Sequence, residues 1–161
     1  MYKPIVATLG YVLSSDKRQT LLVHRNGRPG DFHIGKYNGL GGKMEPQESI
    51  HQCICREIQE EAGILCDQVV LRGTINWTGF GPNGEDWFGF IYRIDRYTGV
   101  PLTSNEEGRL LWYPIERLEE LPMWAGDRYF LPLVFDNDPR LFHGYMPYAD
   151  STPVSWTYTR C

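Results

Sequence analysis

The sequence predicts an α+β domain built on a mixed sheet, and three observations carry that prediction. Short runs of apolar or alternating residues, rich in β-branched and aromatic side chains, recur along the chain. One amphipathic stretch, residues 48–62, contains neither proline nor glycine. The 161 residues, 42% hydrophobic and 22% charged, suffice for one sizeable core and show no repeat, linker or low-complexity tract. A single domain spanning residues 1–161 is therefore expected, a mixed sheet with a few packed helices.

Residues 5–13 are largely apolar and read as a strand, followed by a polar turn from Ser14 to Arg18 and a second short strand from Leu21 to His24. From Asn26 to Lys43, glycine and basic residues dominate and the chain reads mostly as loop. Residues 48–62 read as a helix, with Pro46 near its start and Gly63 at its end. Residues 67–80 and 86–95 alternate enough to be strands, joined by the turn signal Gly81-Pro82-Asn83-Gly84. A short strand at 109–113 and a short helix from Pro114 to Leu121 follow. Arg128 to Phe135 is apolar and reads as helix, against the presence of Pro132. Strand-like pieces close the chain at 140–147 and 153–159.

The formal net charge of −4 argues against binding the backbone of a nucleic-acid polymer, which calls for a basic surface. It leaves a nucleotide substrate open, because bound cations supply positive charge locally. Cys53, Cys55, Cys66 and Cys161 show neither CxxC nor zinc-finger spacing and read as reduced thiols. The N-terminus lacks the h-region of a signal peptide, and no stretch approaches the ~20 apolar residues of a membrane span. A soluble cytoplasmic protein with no membrane partner is expected; the oligomeric state is not legible.

The chemistry concentrates in residues 41–64. At ~100° per residue, Glu57, Glu60 and Glu61 share a ~100° arc of the helix, while Ile54, Ile58 and Ala62 occupy the neighbouring arc. Three carboxylates on one face repel one another, and a hard cation such as Mg²⁺ relieves that repulsion through oxygen ligands. Gly41 and Gly42 let the backbone approach the same place, and Arg56 can reach an acidic neighbour or a phosphate. A bare Glu-x-x-Glu-Glu would read as a solvated acidic face. The wider spacing decides otherwise. Gly42, Glu48, Arg56, Glu57, Ile58, Glu60, Glu61, Gly63 and Ile64 match G-x5-E-x7-R-E-U-x-E-E-x-G-U, with U a bulky aliphatic, at all nine constrained positions over 23 residues.

This segment resembles the box of the Nudix hydrolases. The resemblance implies an α/β/α sandwich with a mixed sheet, and hydrolysis of a nucleoside diphosphate linked to another group with Mg²⁺ or Mn²⁺. It implies that Glu57, Glu60 and Glu61 act as metal ligands or general base, that the Gly41 carbonyl adds a ligand, and that Glu48 and Arg56 orient the glutamates. Glu57 is the first choice for the proton acceptor and Glu107, outside the box, the second; Glu107 also counts as a candidate ligand. A metal-activated water would attack phosphorus in line.

The resemblance extends to the oxidised-purine triphosphatases of the MutT type, through Lys36-Tyr37-Asn38-Gly39-Leu40-Gly41-Gly42-Lys43, Asn105-Glu106-Glu107-Gly108, Leu121 to Asp127 and Phe142-His143-Gly144-Tyr145. It implies that Asn38 and Asp127 hydrogen-bond a purine and Trp124 stacks on it. Where the animal relative has two adjacent aspartates, this chain has Gly126-Asp127. The bland alternatives are a turn cap for Asn38, core packing for Trp124, a helix cap for Asp127 and a loop carboxylate for Glu107. Trp77 and Trp87 read first as core, and Lys36 and Lys43 either steer a triphosphate or solvate the loop. The expected activity is cleavage of 8-oxo-dGTP or another oxidised purine nucleotide to monophosphate and pyrophosphate, which sanitises the nucleotide pool ahead of DNA repair. The alternatives are hydrolysis of a dinucleoside polyphosphate, ADP-ribose or capped RNA end, and a non-catalytic ligand sensor. ADP-ribose hydrolases usually carry proline where this chain has Phe80, and dinucleoside polyphosphate hydrolases tyrosine where it has Pro82. The full set of box glutamates argues against a sensor.

Overall fold

The computed structural model describes residues 1–161. Its strands are β1 (Ile5–Leu13), β2 (Gln19–Arg25), β3 (Tyr37–Asn38), β4 (Leu65–Phe80), β5 (Glu85–Thr98), β6 (Ser104–Asn105), β7 (Gly108–Pro114), β8 (Phe142–Ala149), β9 (Thr152–Pro153) and β10 (Thr157–Arg160). The helices are α1 (Ile50–Ala62) and α2 (Asp127–Phe135), with a 3₁₀ turn at Ile115–Glu120. The sheet runs β10-β8-β4-β5-β1-β2-β7-β6, with β3 on β2 and β9 on β8. It is mixed: β1 pairs β5 and β4 pairs β8 in parallel, while the other pairs are antiparallel.

Strand alternation sends side chains to two cores. Tyr11, Leu22, Ile75 and Ile91 meet Phe130, Leu131, Leu133 and Val134 of α2 and Leu118 of the 3₁₀ turn. Val12, Leu21, Val23, Tyr92 and Ile94 meet Ile54, Ile58 and Ala62 of α1 on the other face. The result is the expected sandwich, a sheet between α1 and α2.

The α1 helix starts at Ile50, two positions inside the predicted boundary, because Ser49 caps it. Gln52 N–H donates to Ser49 Oγ at 3.2 Å and Ser49 N–H donates to Gln52 Oε1 at 2.8 Å, a reciprocal capping box. Gly63, at φ 69°, ends the helix in the left-handed region. Pro132 does lie within α2, on its exposed side. The far end of α2 is tied down by buried Arg72, which donates to the carbonyls of Leu133, Val134, Asp136 and Asp138.

One local expectation needs correction. The piece at 153–159 splits into β9 and β10, while the short helix expected over Pro114–Leu121 is present as a 3₁₀ helix at Ile115–Glu120. Residues 26–43 are mostly loop, as expected, with β3 as the one strand among them. β1 pairs with β2 only at Val12–Leu21 and Leu13–Thr20. Where the two strands part, residues 37–43 enter the gap: β3 joins β2, and Leu40 and Lys43 bridge to Gly10 and Ala7 of β1. This insertion brings Asn38, Gly41 and Gly42 to one opening in the sheet.

Candidate active site

Residues 40–42 lie antiparallel to β1, so Gly10 N–H donates to the Leu40 carbonyl at 2.5 Å and Thr8 N–H donates to the Gly42 carbonyl at 2.9 Å. Gly41, between them, turns the other way: its N–H donates to Glu61 Oε1 at 3.3 Å. A side chain at Gly41 would run into the Thr8 carbonyl, and one at Gly42 would reach within 2.5 Å of Glu57 Cδ. The two glycines are there because α1 presents its carboxylates directly against this backbone.

Arg56 organises the other side of the cluster. It grips Glu48 with two bonds, Nε to Oε2 at 2.8 Å and Nη2 to Oε1 at 2.7 Å, and donates through Nη1 to Glu57 Oε1 at 2.9 Å and Glu60 Oε2 at 3.3 Å. Together with the Glu45 N–H, Arg56 holds the Glu48 carboxyl down at about 2. Glu107 comes from the β6–β7 turn, where Asn105 Oδ1 accepts its N–H at 2.8 Å, and is held by Arg25 Nη1 at 3.1 Å.

Burial pushes Glu61 up to about 9, with the charges of Glu107 and Glu57 adding to the effect. Burial also raises Glu57, against Arg56 and with Glu60 and Glu107. The three carboxylates of Glu57, Glu61 and Glu107 therefore feel one another across a shared, poorly solvated space, whereas Glu60 stays 61% exposed. Their side chains do not converge into a ready-made metal shell. The donor set nonetheless fits a hard cation: it is all oxygen, it is mutually repulsive, and no lysine or arginine except Arg25 and Arg56 offsets it.

A cavity of about 300 Å³ opens beside this cluster: Glu107 lines it, whereas Glu57, Glu60 and Glu61 do not, Glu61 and Glu57 lying against Gly41 and Gly42 of its wall. Gly41, Gly42, Lys43 and Glu107 line one end; Asn38, Trp124, Asp127 and Tyr148 line the other. Asn38 lies in β3 and caps no turn. Asp127 is the first residue of α2 rather than its cap: Gly126 holds the N-cap position and no side chain caps the helix. Burial raises the Asp127 carboxyl to about 7, moderated by Lys36. Trp124 is not simply core. It stacks on Phe32 at 5.0 Å, meets Phe80 edge-on at 5.1 Å and donates through Nε1 to His33 Nδ1 at 2.7 Å. Lys36 Nζ sits 5.0 Å from the Trp124 ring centre and Lys43 Nζ 5.3 Å from that of Trp87. Trp77 and Trp87, expected first as core, both line the cavity, although Trp77 also packs on Phe130.

Four residues escaped the sequence reading: Arg25, His33, Phe80 as a cavity wall, and Tyr148. Each acts through a partner distant in the chain, and none belongs to a spaced motif. All four cysteines are free thiols, and no helix is long and apolar enough to cross a membrane.

The NUDIX domain family model matches residues 3–134. The chain is 35% identical over 117 residues to an oxidized purine nucleoside triphosphate hydrolase of Danio rerio, covering 73% of this chain and 72% of the relative. It is 29% identical over 123 residues to the protein of that name in Mus musculus, covering 76% of each. Among solved structures it is similar to a MutT protein of Bacillus halodurans, with a TM-score of 0.82, 29% identity, and coverage of 96% of this chain and 97% of that one.

Proposed function

The chain belongs to the Nudix hydrolase family, and from that premise we propose that it is a Mg²⁺-dependent pyrophosphohydrolase of an oxidised purine nucleoside triphosphate such as 8-oxo-dGTP. One observation carries the proposal. A single cavity, lined by Glu107 and by Gly41 and Gly42, the glycines against which Glu61 and Glu57 lie, also contains an aromatic chamber with polar side chains that lack protein partners. Neither the Asn38 amide nor the Asp127 carboxyl makes a hydrogen bond within the protein, and neither is sealed from the cavity. Polar groups left this way call for a ligand or water. Sharing one cavity with Glu107 and the glycines at 41 and 42, they suit a molecule with a flat polar base at one end and phosphates at the other. The names of the relatives from Danio rerio and Mus musculus support the same substrate class.

Family members generally use a divalent metal such as Mg²⁺. Here Glu57, Glu60 and Glu61 with the Gly41 carbonyl, joined by Glu107, would hold it. When bound, the cation neutralises phosphate charge and acidifies a coordinated water. The remaining work falls to the chain. Glu57, half-desolvated and raised above the usual carboxylate range, is placed to accept a proton. Arg56, locked onto Glu48, fixes the direction of Glu57, and the glycines at 41 and 42 keep side chains out of the phosphate path. Lys43, at the cavity mouth, balances phosphate charge. Asn38 and Asp127 hydrogen-bond the base edge. One broad face of Trp124 is already covered by Phe32, so a base would use the ring's remaining surface. Stacking of that kind is worth ~1–3 kcal/mol and tolerates many bases, which leaves selection to the polar groups.

The test is a panel of nucleotides with Mg²⁺, including 8-oxo-dGTP, dGTP, ADP-ribose and a dinucleoside polyphosphate, scored by kcat/KM. Highest kcat/KM for an oxidised purine triphosphate, with pyrophosphate as product, supports the assignment. Preference for ADP-ribose or a dinucleoside polyphosphate overturns it.

A further inference from the structure

The base end of the cavity holds a third polar group. Tyr148 lies on β8, whose alternation turns Met146 and Tyr148 inward. Its ring is fixed edge-on against Phe80, 5.0 Å away at 76°. Its hydroxyl oxygen lies against the backbone of Gly126, where α2 begins. A side chain at Gly126 would collide with that oxygen and with Met146 Sδ, although φ there is −73°, open to any residue. Glycine at 126 thus makes space for the Tyr148 hydroxyl rather than serving the backbone.

The hydroxyl proton has no acceptor within the protein, and the residue keeps 7% of its surface exposed, in the cavity. Tyr11, the other tyrosine on this lining, is 0% exposed and presents nothing to a ligand. A buried phenol ordinarily finds a partner, so the Tyr148 O–H is a donor waiting for one. Burial and the neighbouring Asp127 push the phenol well above its usual range, which keeps it protonated at any working pH. The Gly126 N–H donates to the phenol oxygen, which leaves the O–H free to donate to a ligand acceptor. At the 6-position of a purine an exocyclic carbonyl oxygen accepts that proton, whereas an exocyclic amine turns its own hydrogens toward a phenol oxygen that Gly126 already occupies.

We propose that Tyr148 is a specificity-determining residue whose hydroxyl donates to the carbonyl oxygen of a 6-oxopurine, so that the pocket favours 6-oxo over 6-amino purine nucleotides. The inference rests on the purine triphosphate reading given above. Asp127 and Asn38 then face the ring and exocyclic N–H groups beside that carbonyl.

The experiment measures kcat and KM for the Mg²⁺-loaded wild type and Tyr148→Phe with 8-oxo-dGTP and dITP, both 6-oxo, and with 8-oxo-dATP and dATP, both 6-amino. The wild type is expected to favour the 6-oxo pair. Removing one neutral hydrogen bond should lower the ratio of 6-oxo to 6-amino kcat/KM by about 3- to 10-fold, through the KM of the 6-oxo substrates. An unchanged ratio in an active, folded variant overturns the role of Tyr148 and leaves the purine reading standing. A wild type that cleaves none of the four overturns both. Calorimetric binding of 8-oxo-dGMP and 8-oxo-dAMP to the wild type gives a test independent of the variant's folding: tighter 8-oxo-dGMP binding supports the proposal, and equal binding overturns it.

Discussion

The carboxylate of Glu57 occupies the space that a side chain at Gly42 would need: a Cβ there would lie 2.5 Å from Glu57 Cδ. Gly42→Ala should therefore displace Glu57 or the backbone beside it while leaving α1, capped at both ends, intact. A shift of ~1 Å at a reacting group costs on the order of 100-fold in rate. The expected outcome is a loss of that size in kcat with an unchanged far-UV circular dichroism spectrum.

Glu61 sets a pH dependence on the metal-free protein. Its folded pKa of about 9 lies above the ordinary 4.5, so the folded state holds a proton that the unfolded state releases. Its contribution is complete below pH 4.5 and is lost as pH rises toward 9. Without metal, Tm should fall across that range. Mg²⁺, which takes the proton's place among the carboxylates, should raise Tm more at pH 8.5 than at pH 6. In Glu61→Gln the metal-free decline should flatten, as thermal scans at several pH values would show.

His33 fixes the indole of Trp124, and only its neutral form accepts from Trp124 Nε1. Burial lowers the His33 pKa below 6.5, with Arg25 opposing the proton and Asp31 favouring it. His33→Phe should raise KM about 3- to 10-fold with kcat nearly unchanged, the loss of one hydrogen bond behind a binding wall. As pH falls below 6.5, wild-type KM should rise. Asp127 titrates nearby at about 7, so the His33 share is the part of the rise that the variant lacks.

Arg72, its side chain only 5% exposed, gathers four carbonyls at the end of α2 and pairs with Asp136 at 2.9 Å. Arg72→Met should cost about 3 kcal/mol in urea unfolding, because it leaves buried carbonyls and a carboxylate without their donor. Arg93 and Arg160, which reach the carbonyls of Val134 and Leu133, keep the loss from growing larger.

The parts of this molecule legible in sequence are those with a period or a spacing. The helix of Glu57, Glu60 and Glu61 declared both its buried stripe and its carboxylates, because 3.6-residue geometry relates positions close in the chain. The long strands were visible for the same reason. The opening between β1 and β2 was not: Asn38 belongs to a two-residue strand flanked by glycine, too short for any pattern. Arg25, His33 and Tyr148 matter through Glu107, Trp124 and Gly126, contacts made only by the folded sheet. Trp77 was hard to place because it serves the core and the cavity at once. At Asp127 a helix cap competed with base recognition because helix-start residues look alike in sequence; Gly126, with αR backbone, holds the cap position and leaves the carboxyl free.

The central claim is that the α1 carboxylates carry a metal-dependent cleavage of a diphosphate. It is tested most directly by Mg²⁺-dependent pyrophosphate release from 8-oxo-dGTP by Glu57→Gln and Glu61→Gln, with folding checked by circular dichroism. The expected result is a folded protein in both cases and a fall in kcat of on the order of 1000-fold or more. Full turnover in both variants would contradict it.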